Sequence, residues 1–239
     1  MDIVDVHCRT PEEHLACDEA LLDVCEEMGG REALRFWESG AHFVVLGYSN
    51  AAKTEVHLNA CREREIPVLR RCSGGGCVVQ GPGCLNYSLI LSTATRAAAA
   101  TITGTTAEVL RRHREALQPF VAEPIAASGQ SDLTIGDRKF SGNAQRRKVR
   151  SVLFHGTVLY NFDLALIDVL LPLPSRQPQY RARRSHAAFL TNLRLDAHTL
   201  RRCIGDAWEA DSEVTLDIGP RIAELVRDRY STAAWTFRR

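Results

Sequence analysis

Arg70-Arg71-Cys72-Ser73-Gly74-Gly75-Gly76-Cys77-Val78 is the segment of this chain best equipped to do chemistry. A strand-like run enters three consecutive glycines and leaves again as a strand. Glycine costs backbone entropy, so three together mark a contorted turn or the close approach of a ligand. Successive amides without Cβ atoms can point at one anion, and Arg70 and Arg71 add positive charge beside them. A hairpin tip with solvated arginines is the competing reading of this segment alone. No Gly-Lys-Ser/Thr follows the glycines, so it is not a P-loop.

A second segment, from Asp132 to Ala144, places Lys139 on a short strand where Phe140 must face the opposite way. Ser141, Gly142 and Ala144 keep the ground beside it small, which suits a bulky ligand lying across it. Taken alone, a lysine on a hairpin is a solvated charge. In Phe154-His155-Gly156-Thr157-Val158, a histidine and a threonine flank a glycine within an apolar strand. A hydrogen-bonded structural histidine is the plainer alternative there. Among the 8 cysteines no Cys-x-x-Cys pair occurs, and no Cys or His pair has zinc-ligand spacing. Cys8, Cys17, Cys25, Cys61 and Cys203 read as small apolar fillers. Cys72, Cys77 and Cys84 crowd the glycine-rich region, where a thiol beside Arg71 could have a lowered pKa.

The elements that must position these residues are legible in outline. Thr10-Pro11-Glu12-Glu13 opens a helix that Gly29-Gly30 stops. Strands are predicted over 33–38 and 42–48, a short helix over 58–65, and a strand through Val68 and Leu69. Two apolar runs between 77 and 91 flank Gly81-Pro82-Gly83, which reads as a turn between strands. A helix over 97–117 follows, then a hairpin turning at Gly136-Asp137, then a strand over 152–161. Asp163 caps a helix reaching Leu171. Pro172, Pro174 and Pro178 mark a loop, the expected flexible segment. Helices near 198–210 and 220–229 bracket a strand over 214–218. Adjacent strand pairs with short turns favour an antiparallel or mixed sheet flanked by helices, an α+β domain. With no repeat, linker or composition break, one domain over 1–239 is the simplest count.

At 239 residues, 45% hydrophobic and 25% charged, the composition is that of a water-soluble globular chain with one substantial core. The net charge of +1 supplies no global field for nucleic acid or an anionic membrane. Acids stand near the N-terminus where a signal peptide would carry Lys or Arg. The longest apolar stretch, 164–173, is broken by Asp168 and Pro172 and is too short to span a bilayer. A cytoplasmic protein is expected.

The ordered set Arg70-Arg71-x-Ser73-Gly74-Gly75-Gly76, Gly83-x-Leu85-Asn86-x-Ser88, Asp132-Leu133, Lys139-Phe140-Ser141-Gly142-x-Ala144 and His155-Gly156-Thr157 resembles the motifs of the lipoate–protein ligase A and octanoyltransferase superfamily. The resemblance covers nearly the whole chain. Arg183-Arg184-Ser185 to Thr191-Asn192-Leu193, and Tyr230 with Trp235, are similar to the family's later segments. It implies a fold related to biotin ligases and class II synthetases, a mainly antiparallel sheet flanked by helices. It also implies that lipoate attacks the α-phosphate of ATP, giving lipoyl-adenylate and pyrophosphate, before a carrier lysine takes the acyl group and AMP leaves. Carried over in this way, Lys139 is the catalytic group, stabilising negative charge in both transition states. Arg71, Ser73 and the amides of Gly74, Gly75 and Gly76 hold the acyl-phosphate and nucleotide. Asp132 contacts the nucleotide or the Mg2+ that accompanies ATP. Asn86, Ser141, Gly142, Ala144, His155 and Thr157 complete the binding residues, and the apolar strands around Val78 and Leu89 could hold the aliphatic tail.

Within such a superfamily the transferases use a cysteine nucleophile and no ATP. One of their cysteine positions corresponds here to Ala127, and the other falls in a region, Leu170 to Arg184, without cysteine. Adenylation is therefore the expected branch, with a cysteine-dependent octanoyl or lipoyl transferase as the alternative. The resemblance implies that larger ligases carry an additional C-terminal domain, and none is expected here. A compact ligase, or one assisted by a separate small protein, is expected. The resemblance implies a lipoyl-domain carrier: a dehydrogenase E2, a glycine-cleavage H protein or a lipoate-binding protein. Arg146, Arg147, Lys148 and Arg150 form a basic cluster that could steer an acidic carrier, or else a solvated face.

Overall fold

The Thr10 hydroxyl accepts from the Glu13 amide at 3.3 Å and Pro11 fills the first helical position, so helix α1 runs Pro11–Glu27. Gly29 and Gly30, at φ of 79° and 91°, then turn the chain back. The computed structural model describes residues 1–239. The strands are β1 (Asp2–Val4), β2 (Ala33–Trp37), β3 (Phe43–Leu46), β4 (Val68–Arg70), β5 (Val78–Gln80), β6 (Cys84–Ser92), β7 (Ile125–Ser128), β8 (Asp132–Ile135), β9 (Arg138–Arg147), β10 (Ser151–Leu159) and β11 (Ser212–Val214). The remaining helices are α2 (Ala52–Glu55), α3 (Leu58–Glu63), α4 (Ile102–Leu117), α5 (Leu164–Leu170), α6 (His186–Phe189), α7 (Ala197–Ala207), α8 (Gly219–Leu225) and α9 (Ala233–Thr236). No helix is long and apolar enough to cross a membrane.

Eight strands form one sheet in the order β11-β1-β2-β6-β10-β9-β8-β7, and three form a second in the order β4-β3-β5. The β11–β1, β1–β2 and β3–β4 pairs are parallel and the rest antiparallel, so the sheets are mixed and flanked by helices as expected. Register decides what each face of the large sheet carries. His155 lies opposite Ser88 and Ala144, Thr157 opposite Asn86 and Gly142, and Gly142 opposite Asp132. Directly opposed residues share a face. These polar and small residues therefore line one side. The other side buries Leu85, Tyr87, Leu89, Phe140, Phe154 and Val158 beneath α4 and α7. Farther along the polar side, Ile90 and Leu153 join Leu15 and Leu21 of α1 with Phe43 and Val45 of the small sheet. The outer side of the small sheet, Val44, Leu46 and Val79, packs on Ile167 and Leu170 of α5.

Several elements differ from their sequence-based expectation for identifiable reasons. The turn expected at Gly81-Pro82-Gly83 does lie between two strands, β5 and β6, but these belong to different sheets, so it hands the chain from one sheet to the other. The helix expected over 97–117 is divided, because Thr101 takes the cap position and accepts from the Gly104 amide at 3.0 Å. The strand expected over 214–218 lies at Ser212–Val214, set by its parallel pairing with β1. The proline loop is tied down rather than free. Ser175 bonds Glu55, the Tyr180 hydroxyl donates to Asp132 at 2.6 Å, and Arg184 pairs with Asp137 at 2.6 Å.

The inter-sheet turn depends on Gly83. Its φ is 89°, and a Cβ there would stand 2.2 Å from the Asn161 carbonyl oxygen. Gly83→Ala is expected to cost about 2–4 kcal/mol through backbone strain and overpacking, read from urea unfolding at unchanged m-value. A loss under about 0.5 kcal/mol, the range of neutral surface changes, would show that the turn is not constrained in this way.

Candidate active site

The glycine bend is not a hairpin tip. β4 and β5 both pair with β3, which lies between them, so residues 71–77 cross the end of the small sheet. Gly47, just beyond β3, has no room for a side chain, since a Cβ would sit 2.1 Å from the Gly75 carbonyl oxygen. Arg71 shapes the bend from within. Its guanidinium donates to Ser73 Oγ at 3.0 Å, to the Gly74 carbonyl at 2.6 Å and to the Gly76 carbonyl at 2.9 Å. Burial pushes its pKa down to about 10, which leaves it charged at neutral pH. With those carbonyls taken, the amides of Gly74, Gly75 and Gly76 donate to nothing within the chain. The bend rests on β9, where a Cβ on Gly75 would be 3.7 Å from that of Ala144. Arg70 is not part of this. It is fully buried and donates to the carbonyls of Gly47, Tyr48, Asn50 and Thr236, fastening the C-terminal α9 to the small sheet.

Lys139 reaches the same face through a β-bulge. Leu133 pairs with Ser141 but Thr134 pairs with Lys139, so β9 carries one extra residue at Phe140. The extra residue reverses the alternation, leaving Phe140 in the core and turning Lys139 to the polar side. Its ammonium lies over Gly142, where a Cβ would be 2.5 Å from Nζ. Gly142 and Ala144 are two residues apart on one strand, roughly 7 Å at the usual rise. Lys139 and the glycine bend thus stand over neighbouring positions of one surface. Lys139 Nζ pairs with Asp132 Oδ1 at 2.8 Å, and Tyr180 takes the other carboxylate oxygen.

His155 is held at both ring nitrogens. Nδ1 lies 2.8 Å from Asp18 Oδ2 and Nε2 lies 2.6 Å from Ser73 Oγ. Asp18 Oδ1 accepts from Arg35 at 2.9 Å and from the Ser88 hydroxyl at 2.7 Å. Burial opposes the Asp18 charge, but His155, Arg35 and Ser88 outweigh it and hold the carboxyl below the usual aspartate range. Asn86 and Thr157 share the face yet close a ring with Gln80, with bonds of 3.0, 2.6 and 2.7 Å, that joins the two sheets. Their polar groups are engaged in that join.

Of the residues singled out from sequence, Arg71, Ser73, the three glycines, Asp132, Lys139, Gly142, Ala144 and His155 come together. Ser141 does not. It faces the core opposite Val158, with its hydroxyl unpartnered. Leu89 also packs in that far core, so it cannot line a tail pocket on this side. The basic cluster is largely drawn into the fold. Arg146 donates to the Cys72 carbonyl at 2.9 Å, Arg147 to Thr105 at 3.1 Å, and Lys148 pairs with Asp23 at 2.7 Å. The thiols of Cys72, Cys77 and Cys84 are pushed up to about 12 by burial, so proximity to Arg71 does not activate them. No group of three or more His, Cys, Asp or Glu side chains is arranged to hold a metal ion. Asp132, with both oxygens engaged, does not fit as a standing Mg2+ ligand. A cleft of about 530 Å³ lined by Arg111, Arg112, Phe120 and Arg202 opens between α4 and α7. It lies beyond the opposite face of the sheet, away from the bend.

Asp18, Arg35 and Tyr180 escaped the reading of the sequence. For two of them a signal existed. Asp18 interrupts the apolar stripe Leu15-Leu21-Leu22, and Arg35 alternates with Ala33 and Trp37 on an inward strand face. A charge on a buried face is a request for a partner.

Asp18→Asn keeps the shape but leaves the Arg35 guanidinium, 0% exposed, without its counter-charge. A loss of about 3–5 kcal/mol at neutral pH is expected, measured by urea unfolding. Because the folded carboxyl titrates below its unfolded value, its contribution is present at neutral pH and disappears as pH falls through that lowered value. The acid limb of the variant's stability profile should therefore be flatter. A variant within about 1 kcal/mol of the parent at pH 7, the net worth of an ordinary hydrogen bond, would contradict this role.

The model of the lipoyl protein ligase A/B catalytic domain matches residues 10–200 of this chain. A lipoate-protein ligase A relative from Mycoplasma pneumoniae is 30% identical over 148 residues, 62% of this chain and 42% of that protein. The octanoyltransferase LipM of Brevibacillus brevis is 26% identical over 96% of both chains. Among solved structures, a bi-partite lipoate protein ligase of Thermoplasma acidophilum, described together with its E2 lipoyl domain, superposes with a TM-score of 0.84. It is 22% identical and covers 99% of this chain and 95% of its own. A lipoate-protein ligase A bound with ATP superposes with a TM-score of 0.79 at 21% identity, over 99% and 98% of the two chains. With its mixed sheet, its glycine bend and its Lys139 on one face, this chain belongs to the lipoyl protein ligase A/B catalytic-domain family of enzymes.

Proposed function

We propose that this chain is a lipoate–protein ligase that activates lipoate with ATP and transfers the lipoyl group to a lysine of a lipoyl-domain carrier. The observation that carries the reading is the placement of the Lys139 ammonium and the three undonated glycine amides over adjacent positions of one sheet face. Adenylation needs exactly two such features close together: a mobile cation and fixed donors for phosphate and acyl oxygens. Lys139 is 24% exposed at the side chain and paired with Asp132, so phosphate can replace the carboxylate as its partner. Lipoate oxygen would attack the α-phosphorus, pyrophosphate would leave, and Lys139 would then face the acyl carbonyl as the carrier amine adds. Once phosphate takes its place at Lys139, the freed Asp132 oxygen would be available to help hold the magnesium that arrives with ATP.

The alternative is a cysteine-dependent octanoyl or lipoyl transferase, favoured by LipM relatives that align end to end. Against it, neither expected thiol position carries a cysteine. Ala127 occupies one thiol position, and the thiols near the bend are held protonated by burial. The ligase of known structure described with its E2 lipoyl domain supports a carrier of that type as partner. Residues 1–239 are proposed to act as one catalytic domain.

Pyrophosphate release from ATP on adding lipoate, with and without a lipoyl-domain carrier and a candidate accessory protein, tests the reading. Lys139→Ala should lower kcat/KM by about 100-fold or more while its unfolding curve is kept. The combined Cys72→Ser, Cys77→Ser, Cys84→Ser variant should retain ATP-dependent lipoylation. Carrier modification from an octanoyl-carrier protein without ATP, abolished by any one of these serine changes, would establish the transferase instead.

A further inference from the structure

Ser73, His155 and Asp18 come from the bend, β10 and α1, and their hydrogen-bonding atoms fall in line at 2.6 and 2.8 Å. The order of protons along this line follows from charge. Asp18 lies between Arg35 and His155 and accepts from both, so the proton between Asp18 and His155 belongs on Nδ1. A neutral imidazole with Nδ1–H offers a lone pair at Nε2. Ser73 must then donate its hydroxyl hydrogen to Nε2, and its oxygen in turn receives the Arg71 guanidinium at 3.0 Å. The same three-part logic, a hydroxyl set by a base that is set by a carboxylate, recurs wherever enzymes move a proton from an oxygen. A plain structural tie between α1 and the sheet would need only the Asp18 bonds. Here the line continues to the bend beside free amides, and His155 is faced across β9 by Ala144, which has no polar group.

We infer that Ser73, His155 and Asp18 form a proton relay that serves the attacking carrier amine. The inference rests on the ligase reading and names residues for its second half-reaction. A lysine ammonium gives up two protons on becoming an amide nitrogen. The first leaves to water before attack. The free amine then forms the C–N bond to the acyl carbon of the adenylate, and the carbonyl electron pair moves to oxygen, beside Lys139 and the bend amides. The second proton passes from nitrogen to Ser73 Oγ as the original Ser73 hydrogen passes to His155 Nε2. The tetrahedral centre collapses, the C–O bond to AMP breaks, and AMP leaves with that electron pair. The imidazolium, stabilised by Asp18, returns its proton to water after release. In this relay Ser73, 1% exposed in the unliganded chain, is the group the reacting amine would meet, while His155 and Asp18 are positioning residues acting through it. The charged groups facing His155 are Asp18 from α1, with Arg35 of β2 behind it, and Arg71 at the bend. β6 presents Ser88 and β9 presents Ala144.

Preformed lipoyl-adenylate and the full-length chain test this with two acceptors, a lipoyl-domain lysine and hydroxylamine. Hydroxylamine is uncharged at neutral pH, and its adduct nitrogen is acidic enough to lose its proton to water unaided. His155→Gln should slow transfer to lysine by about 100-fold or more and transfer to hydroxylamine by far less. Ser73→Ala, which removes a single hydroxyl, gives the same comparison should His155→Gln fail to fold. Equal loss with both acceptors, or no loss with either, would overturn the relay. Wild-type enzyme that uses the preformed adenylate but makes none from ATP would reject the ligase reading while leaving the relay standing. Wild-type enzyme inert toward the adenylate would overturn both.

Discussion

Everything at the candidate site depends on alternation along β6, β10 and β9, because a two-residue period sorts the side chains of three paired strands onto two faces. One face receives Leu85, Tyr87, Leu89, Phe154 and Val158 and becomes core. The other receives Ser88, His155, Thr157, Gly142 and Ala144 and becomes the ground on which the bend lies. A one-residue slip in register would exchange the two sets. The bulge at Phe140 is the single place where alternation is broken, and it is what carries Lys139 to the polar side while its neighbour remains buried.

Charge is handled on that face by partners held in place in advance. Asp18 is buried among Arg35, Ser88 and His155, and Arg71 among the carbonyls of its own bend. Each satisfies a polar group that would otherwise be costly to bury. Lys139 differs, since its pairing with Asp132 is partly open to solvent and exchangeable. Fixed cations shape the site, and a partly exposed one stands beside them.

Much of this was legible in the chain. Glycines in series, a lysine before Ser-Gly-x-Ala and a His-Gly-Thr strand pointed to one site, and Thr10-Pro11 and Asp163 set helix starts where the structure has them. What could not be read were features created only by pairing. Ser141 appeared on the site side because simple alternation from Lys139 puts it there, whereas the bulge reverses the count. The basic run from Arg146 looked free because its carbonyl, hydroxyl and carboxylate partners, on Cys72, Thr105 and Asp23, lie far away in sequence. Arg70 and Arg71 look alike in the chain, yet alternation at the end of β4 turns one to the C-terminal helix and the other into the bend.

Hydrogen–deuterium exchange on addition of a non-reactive lipoyl-adenylate analogue tests the central claim most directly. The account requires that peptides covering residues 73–77 and 138–144 become protected together, the bend because its amides acquire acceptors and β9 because Lys139 is drawn to the ligand. Protection confined to the α4–α7 cleft, or to only one of the two segments, would mean that bend and lysine do not share a ligand.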